Sequence, residues 1–129
     1  MLPRAGCVRL TRGGVRSGTN VTVIEGDATA LPFEDDRFTG AACFSMLHHV
    51  PAAELQDRLF AEVARVLRPG ATFAATDSVH DPDLEAFHTG DTYLPLDPDG
   101  IADRLAAAGF VDIDVRTNDF AWSARCTAG

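Results

Sequence analysis

The sequence predicts an α/β layer fold, with parallel core strands and an antiparallel C-terminal hairpin. Three observations carry this reading. Short apolar runs of strand length recur between turn residues, and a long stripe of helical period separates two of them. The last two segments each alternate apolar with polar residues, as half-buried strands do.

Met1 to Asn20 is rich in glycine and arginine and reads as a flexible or irregular leader, with a short strand signal at Cys7–Leu10. Residues 21–129 read as one domain. Val21 to Ile24 is β-branched and is expected to be a buried strand, followed by a loop from Gly26 to Phe33 that Pro32 interrupts. Glu34, Asp35 and Asp36 form a polar turn, more in keeping with a solvated loop than a metal site. Gly40 to Phe44 is a second strand-length run. Pro51 to Arg68 is predicted as a helix, because Leu55, Leu59, Val63 and Leu67 recur every fourth position and Phe60 and Val66 widen the stripe. Pro69-Gly70 ends it, and Ala71 to Asp77 follows as a third strand.

A loop rich in acidic residues and proline runs from Ser78 to Leu96. Asp97-Pro98 combines an N-cap residue with proline in the first turn, so a helix starts there. It carries Ile101, Leu105 and Ala108 inward and closes at Gly109. Val111, Ile113 and Val115 alternate with aspartates, and Phe120, Trp122, Ala124 and Cys126 share one face of the next segment. Asn118-Asp119 supplies turn chemistry between them, which predicts a hairpin.

At 129 residues the chain fits one domain, and 46% apolar with 23% charged residues is an ordinary globular balance. The formal charge of −8 repels phosphate backbones, so a nucleic-acid partner is not expected. Cys7, Cys43 and Cys126 are odd in number and far apart, without the spacing of a zinc site or a disulfide framework. Cys43 and Cys126 lie in apolar runs and read as small buried hydrophobes. No apolar stretch is long enough to span a membrane. The arginines at positions 4, 9, 12 and 16 are not followed by the apolar segment of a secretory signal, so the expected location is cytoplasmic.

Four segments in order resemble the class I S-adenosylmethionine-dependent methyltransferases. VTVIEGDATALPF, residues 21–33, resembles that family's third strand and following loop. RFTGAACFSMLHHVP, residues 37–51, is similar to its fourth strand and the loop where cofactor and substrate meet. EVARVLRPGATFAATD, residues 62–77, resembles its helix–turn–strand unit, and residues 97–115 its last helix and sixth strand. The fold this implies is a Rossmann-like methyltransferase sheet that lacks its first βαβ part. The family's opening strand and GxGxG turn have no counterpart in the first 20 residues, where Gly13, Gly14 and Gly18 are not framed by a strand and a helix.

The resemblance implies S-adenosylmethionine as cofactor and a small-molecule methyl acceptor. It places Asp27 and Ala28 at the adenine, through a carboxylate that accepts from the exocyclic amine and a backbone amide that donates to the ring. It places Phe44, Ser45 and Met46 at the adenosine. Asp27 has a second reading as the side chain of an Asx-turn. Adjacent histidines point apart, so His48-His49 is not expected to bind metal. His49 is the acid/base candidate, since an imidazole titrates near pH ~6.5; its alternative is a structural histidine before a helix. His88, Asp91 and Tyr93 fall in the loop that forms the substrate wall in the family.

Two other readings stand beside methyl transfer. One is a non-catalytic remnant that acts as a binding domain, and the other a nicotinamide-binding domain, which the EGDA–LPF segment fits less well. A sheet without its first two strands leaves Val21–Ile24 to pair with Gly40–Phe44 or hang loose. An exposed edge of that kind favours self-association.

Overall fold

A computed structural model of the chain describes residues 7–10, 24–79 and 94–129. Its elements run β1 (Cys7–Leu10), β2 (Ile24–Asp27), β3 (Phe38–Phe44), a 3-10 turn (Leu47–His49), α1 (Ala53–Val66), β4 (Leu67–Ser78), α2 (Pro98–Ala107), β5 (Phe110–Thr117) and β6 (Ala121–Ala128). Of the expected strand at 21–24 only Ile24 lies among the described residues. The loop segment holding His88, Asp91 and Tyr93 lies outside them, as does most of the leader.

A four-stranded sheet has the order β3-β4-β6-β5, and β1 with β2 forms a separate two-stranded ribbon. Among the described strands only β3 and β4 are parallel; β6 runs antiparallel to both of its neighbours. Where it is described, the strand expected to pair with Gly40–Phe44 or to hang loose does neither. Ile24–Asp27 pairs antiparallel with Cys7–Leu10, in a register that sets Val8 opposite Gly26. The described strand also runs past the expected end, taking in Gly26 and Asp27, which were read as loop. Connection length explains the absence of parallel pairing with β3. Residues 28–37 are too few for the helical crossover that a parallel neighbour requires.

Helix α1 is shorter at both ends than the sequence suggests. Ala52, with extended φ/ψ of −148° and 144°, is the N-cap, so Pro51 lies before the helix. At the other end Leu67 is already extended and β4 begins there, four residues ahead of Ala71. The residue before a proline is pushed out of the helical region, and Pro69 cannot donate to the helix ladder. The register against β3 jumps from Phe38–Leu67 to Gly40–Thr72, and Gly70 takes φ of +87° inside this bulge. The last carbonyls of α1 are satisfied by the incoming chain, since Asp36 and Arg37 donate their N–H groups to Arg65 and Val66 at 3.0 and 2.8 Å.

The second helix follows local chemistry closely. The Asp97 carboxylate accepts from Asp99 N–H at 3.0 Å, Pro98 occupies the first turn, and Gly109 leaves the helix with φ of +109°. Asn118 then turns the hairpin, its Oδ1 accepting from the N–H groups of Phe120 and Ala121 at 2.8 and 2.9 Å. Two side chains differ from expectation. Phe120 lies in this turn and is exposed, because β6 starts only at Ala121. An extra residue in β5 between Val111 and Asp114, where Asp112 has φ of 53°, turns Val111 outward while Ile113 and Val115 stay half-buried.

One core joins these parts. Leu59, Phe60 and Val63 of α1 and Ile101 and Leu105 of α2 pack on the sheet face that carries Phe73, Ala75, Trp122, Ala124 and Cys126. The Phe73 ring stacks on Phe110 with centroids 5.2 Å apart and meets Phe60 edge-on at 6.4 Å. Strand β3 is the sheet edge beside β4, and its residues FTGAACF include neither charge nor proline.

Candidate functional site

The two parallel strands end side by side, and ligands in open α/β sheets bind outside such carboxyl ends. Phe44, at the tip of β3, is 61% exposed. Ser45 follows with φ of 55°, a left-handed backbone that a non-glycine residue adopts only where neighbours hold it. Its N–H donates to Thr76 O of β4 at 2.9 Å, which ties the turn to the strand end. Met46 is half-buried against the core, and Leu47 and Val50 are fully buried.

Between those two anchors, His48 points into the protein. Its backbone N–H donates to Asp77 Oδ2 at 2.9 Å, and its ring Nδ1 lies 2.6 Å from Asp77 Oδ1. Asp77 is 2% exposed and also accepts from Ser78 N–H at 2.8 Å. Sequence reasoning assigned Asp77 only to a strand. The signal was its place at the carboxyl end of an otherwise apolar run, where a buried carboxylate needs donors.

Gln56, 1% exposed, closes the turn from the helix side. Its amide nitrogen donates to Leu47 O, Val50 O and Leu94 O at 3.2, 3.3 and 3.0 Å. Leu94 N–H in turn donates to His48 O at 2.6 Å, so the chain returning at 94 is sewn to the same turn.

His49 is half-buried, and its ring lies 4.1 Å from that of His48, centroid to centroid. The two imidazoles are thus neighbours, contrary to the expectation that they point apart, because the tight 3-10 turn brings them together. Among the described residues no group of three His, Cys, Asp or Glu side chains is placed to hold a metal ion. Nearby Cys43 is pushed up to about 12, first by burial and then by the Asp77 charge, and burial raises Cys126 to about 11. Both thiols stay neutral near pH 7 and are poor nucleophiles.

Asp27 lies at the end of β2. Its Oδ1 accepts from Thr29 N–H at 2.8 Å and from the Thr29 hydroxyl at 2.7 Å, which is the Asx-turn alternative. Among the described residues its Oδ2 accepts nothing, so one oxygen of the carboxylate remains for a donor from outside. Ala28 is buried in the core and fixes the backbone there.

The loop beyond is clamped to α1. Arg65 donates to Leu31 O and Phe33 O at 3.0 and 2.8 Å and pairs with Asp35 and Glu62, while Leu31 N–H donates to Glu62 at 2.8 Å. The Arg65 hydrogen bond holds the Glu62 carboxyl below the usual carboxylate range. The acidic turn at 34–36 is thus partly engaged, through Asp35, by this arginine.

The sequence profile of the methyltransferase domain matches residues 6–75, more than half of the chain. The chain belongs to the methyltransferase-domain family. Sterol methyltransferase-like 3 and sterol methyltransferase-like 1 of Botryococcus braunii are 40% and 37% identical to this domain over 62 residues. Each match takes in 48% of this chain and 15% of the relative, so the chain matches only a small part of the length of these curated relatives.

A solved SAM-dependent methyltransferase from Thermotoga maritima superposes on 85% of the chain and 65% of its own, with TM-score 0.72 at 17% identity. The phosphoethanolamine N-methyltransferase 2 of Haemonchus contortus, solved with phosphomonomethylethanolamine and S-adenosylhomocysteine, superposes on 70% of the chain and 22% of its own, with TM-score 0.59 at 22% identity. These similarities establish a Rossmann-like α/β fold for the methyltransferase domain.

Proposed function

We propose that this domain transfers the methyl group of S-adenosylmethionine to a small-molecule acceptor. The observation that carries the reading is the open carboxyl end of β3 and β4, with Phe44 exposed and Ser45 held in a left-handed conformation, in a chain of the methyltransferase-domain family. The names of its relatives, drawn from sterols and phosphoethanolamine, support a small acceptor. Phe44, Ser45 and Met46 form the adenosine side. Asp27 Oδ2 accepts from the adenine amine and the Ala28 amide donates to the ring. The cofactor supplies an activated methyl on a good leaving group, so the work left to the protein is alignment and exclusion of water. His49 takes the proton from an acceptor that must lose one. A cytoplasmic location belongs to the same proposal, and among the described residues no helix is long and apolar enough to cross a membrane.

Calorimetry with S-adenosylhomocysteine tests this reading. Asp27→Ala should weaken binding by at least about tenfold, the usual worth of a hydrogen bond to a charged group. Asp27→Asn separates the two roles of the side chain: its oxygen can keep the Thr29 turn, but its amide opposes the adenine amine. It should therefore weaken binding as Asp27→Ala does. A folded wild-type chain that shows no saturable binding would sink the cofactor reading.

The second reading, a binding domain that completes its sheet with another chain, is favoured by β3. This edge strand of seven residues lacks the charges and prolines that usually block edge-to-edge pairing. Self-association through it predicts a dimer in light scattering at micromolar concentration, and Ala42→Lys should return the monomer. A wild-type monomer at those concentrations removes this reading.

A further inference from the structure

We propose that Asp77 is a positioning residue of the site: its buried carboxylate grips His48 by backbone and ring together, and so sets the shape of the turn from Ser45 to Val50. The inference rests on the cofactor reading only for what that turn faces; the grip itself is a matter of geometry.

A carboxylate that is 2% exposed must be met by donors, and Asp77 is met by three. Two of them are backbone N–H groups, which can only donate. One falls on each oxygen: His48 N–H on Oδ2 and Ser78 N–H on Oδ1. Both oxygens at position 77 are therefore required as acceptors. An amide there would oppose one donor to another, so the site discriminates aspartate from its nearest isostere. The ring of His48 then completes Oδ1 through Nδ1, 2.6 Å away, which selects the form with the proton on Nδ1.

The consequence lies one turn away. The chain leaves β3 through Ser45 in a left-handed conformation, a local strain that persists only where its surroundings over-determine it. The Ser45–Thr76 bond fixes one end of the turn and Gln56 fixes the backbone at Leu47 and Val50. Asp77 holds the residue between them by its side chain as well as its backbone. Phe44, Ser45 and Met46 are thereby presented at a fixed angle beside the ends of both parallel strands.

The experiment is NMR on the full chain with four proteins: wild type, Asp77→Asn, His48→Asn and His48→Ala. In long-range proton–nitrogen spectra, wild-type His48 should carry a slowly exchanging proton on Nδ1. Asp77→Asn can set its one oxygen at the Oδ1 position, where it still accepts from Ser78 N–H and the ring, but its amide nitrogen then opposes His48 N–H. It should move the amide resonances of residues 45–50, His48 most, while the β4–β6 amides stay in place. The side-chain nitrogen of His48→Asn stands close to where the ring's Nδ1 stood. That variant should keep the turn amides near their wild-type positions, whereas His48→Ala, which loses the ring contact, should move them.

A merely space-filling ring predicts the opposite, with His48→Asn and His48→Ala equally perturbed, and that result would overturn the proposal. So would turn amides that stay at their wild-type positions in Asp77→Asn. If Asp77→Asn does not fold, the two His48 variants decide alone. Calorimetry then places the grip in function. S-adenosylhomocysteine should bind Asp77→Asn and His48→Ala about tenfold more weakly than wild type, and His48→Asn within about threefold. Should wild type bind no S-adenosylhomocysteine while the spectra come out as expected, the cofactor reading fails and the grip on the turn stands.

Discussion

Phe73→Ala is expected to lower the unfolding free energy by about 3–5 kcal/mol, the usual cost of emptying an aromatic site in a closed core. The ring is 1% exposed in the middle of β4. It stacks on Phe110 from β5 and meets Phe60 from α1, so one side chain bonds the central strand to the helix layer and to the far edge of the sheet. Neither neighbour can move in to fill the gap without leaving its own strand or helix. Domains of this size are stable by only about 5–15 kcal/mol, so the loss is a large share of the whole. Urea denaturation followed by far-ultraviolet circular dichroism measures it. Phe44→Ala is the control: the same change at a ring that is 61% exposed should cost no more than about 0.5 kcal/mol. Equal losses in the two variants would mean that the core is not centred on Phe73.

Gln56→Leu is expected to cost about 1–3 kcal/mol although it preserves volume and adds apolar surface at a site that is 1% exposed. The amide nitrogen serves Leu47 O, Val50 O and Leu94 O, and its oxygen accepts from Arg104 at 3.0 Å. Leucine leaves those groups without the partner that burial demands. Arg104 suffers least, because it also pairs with Asp57 at 2.6 Å and donates to Ala53 O. The damage should therefore concentrate where residue 94 meets the turn. Amide exchange at Leu94, whose N–H donates to His48 O, should accelerate well beyond that of the β4–β6 ladder. Uniform acceleration over the whole sheet would show instead that Gln56 supports the fold at large.

The same two residues mark the boundary of what a linear reading can reach. Phe73 is legible: it lies in an apolar strand-length run between a helix stop and an acidic residue. Gln56 looks like one more polar residue on a helix whose stripe is defined by Leu59, Phe60 and Val63. Its burial follows from the turn at 47–50 folding over the helix start, a contact that no periodicity encodes. His48 and Asp77 lie 29 residues apart, and Arg65 reaches Leu31 O across 34. Each of these groups was visible as a residue type, but their meeting depends on how β3 and β4 align. Of the cofactor-side candidates, the structure puts Phe44, Ser45 and Met46 in one chain turn at the sheet end. Asp27 ends, and Ala28 follows, a strand of the separate β1–β2 ribbon.

What the sequence determined by itself is what short-range chemistry controls. Asp97-Pro98 and Gly109 bound α2 because capping and left-handed backbone are decided within a few residues. Asn118 turns the hairpin for the same reason, and the apolar stripe of α1 identifies its buried face. Tertiary structure decided the rest: the antiparallel ribbon of β1 and β2, the early start of β4, the bulge that turns Val111 outward, and the pairing of His48 with Asp77. In each of these the energy comes from partners distant in sequence. Strand register, bulges and buried hydrogen bonds are settled only when both sides of the contact are in place.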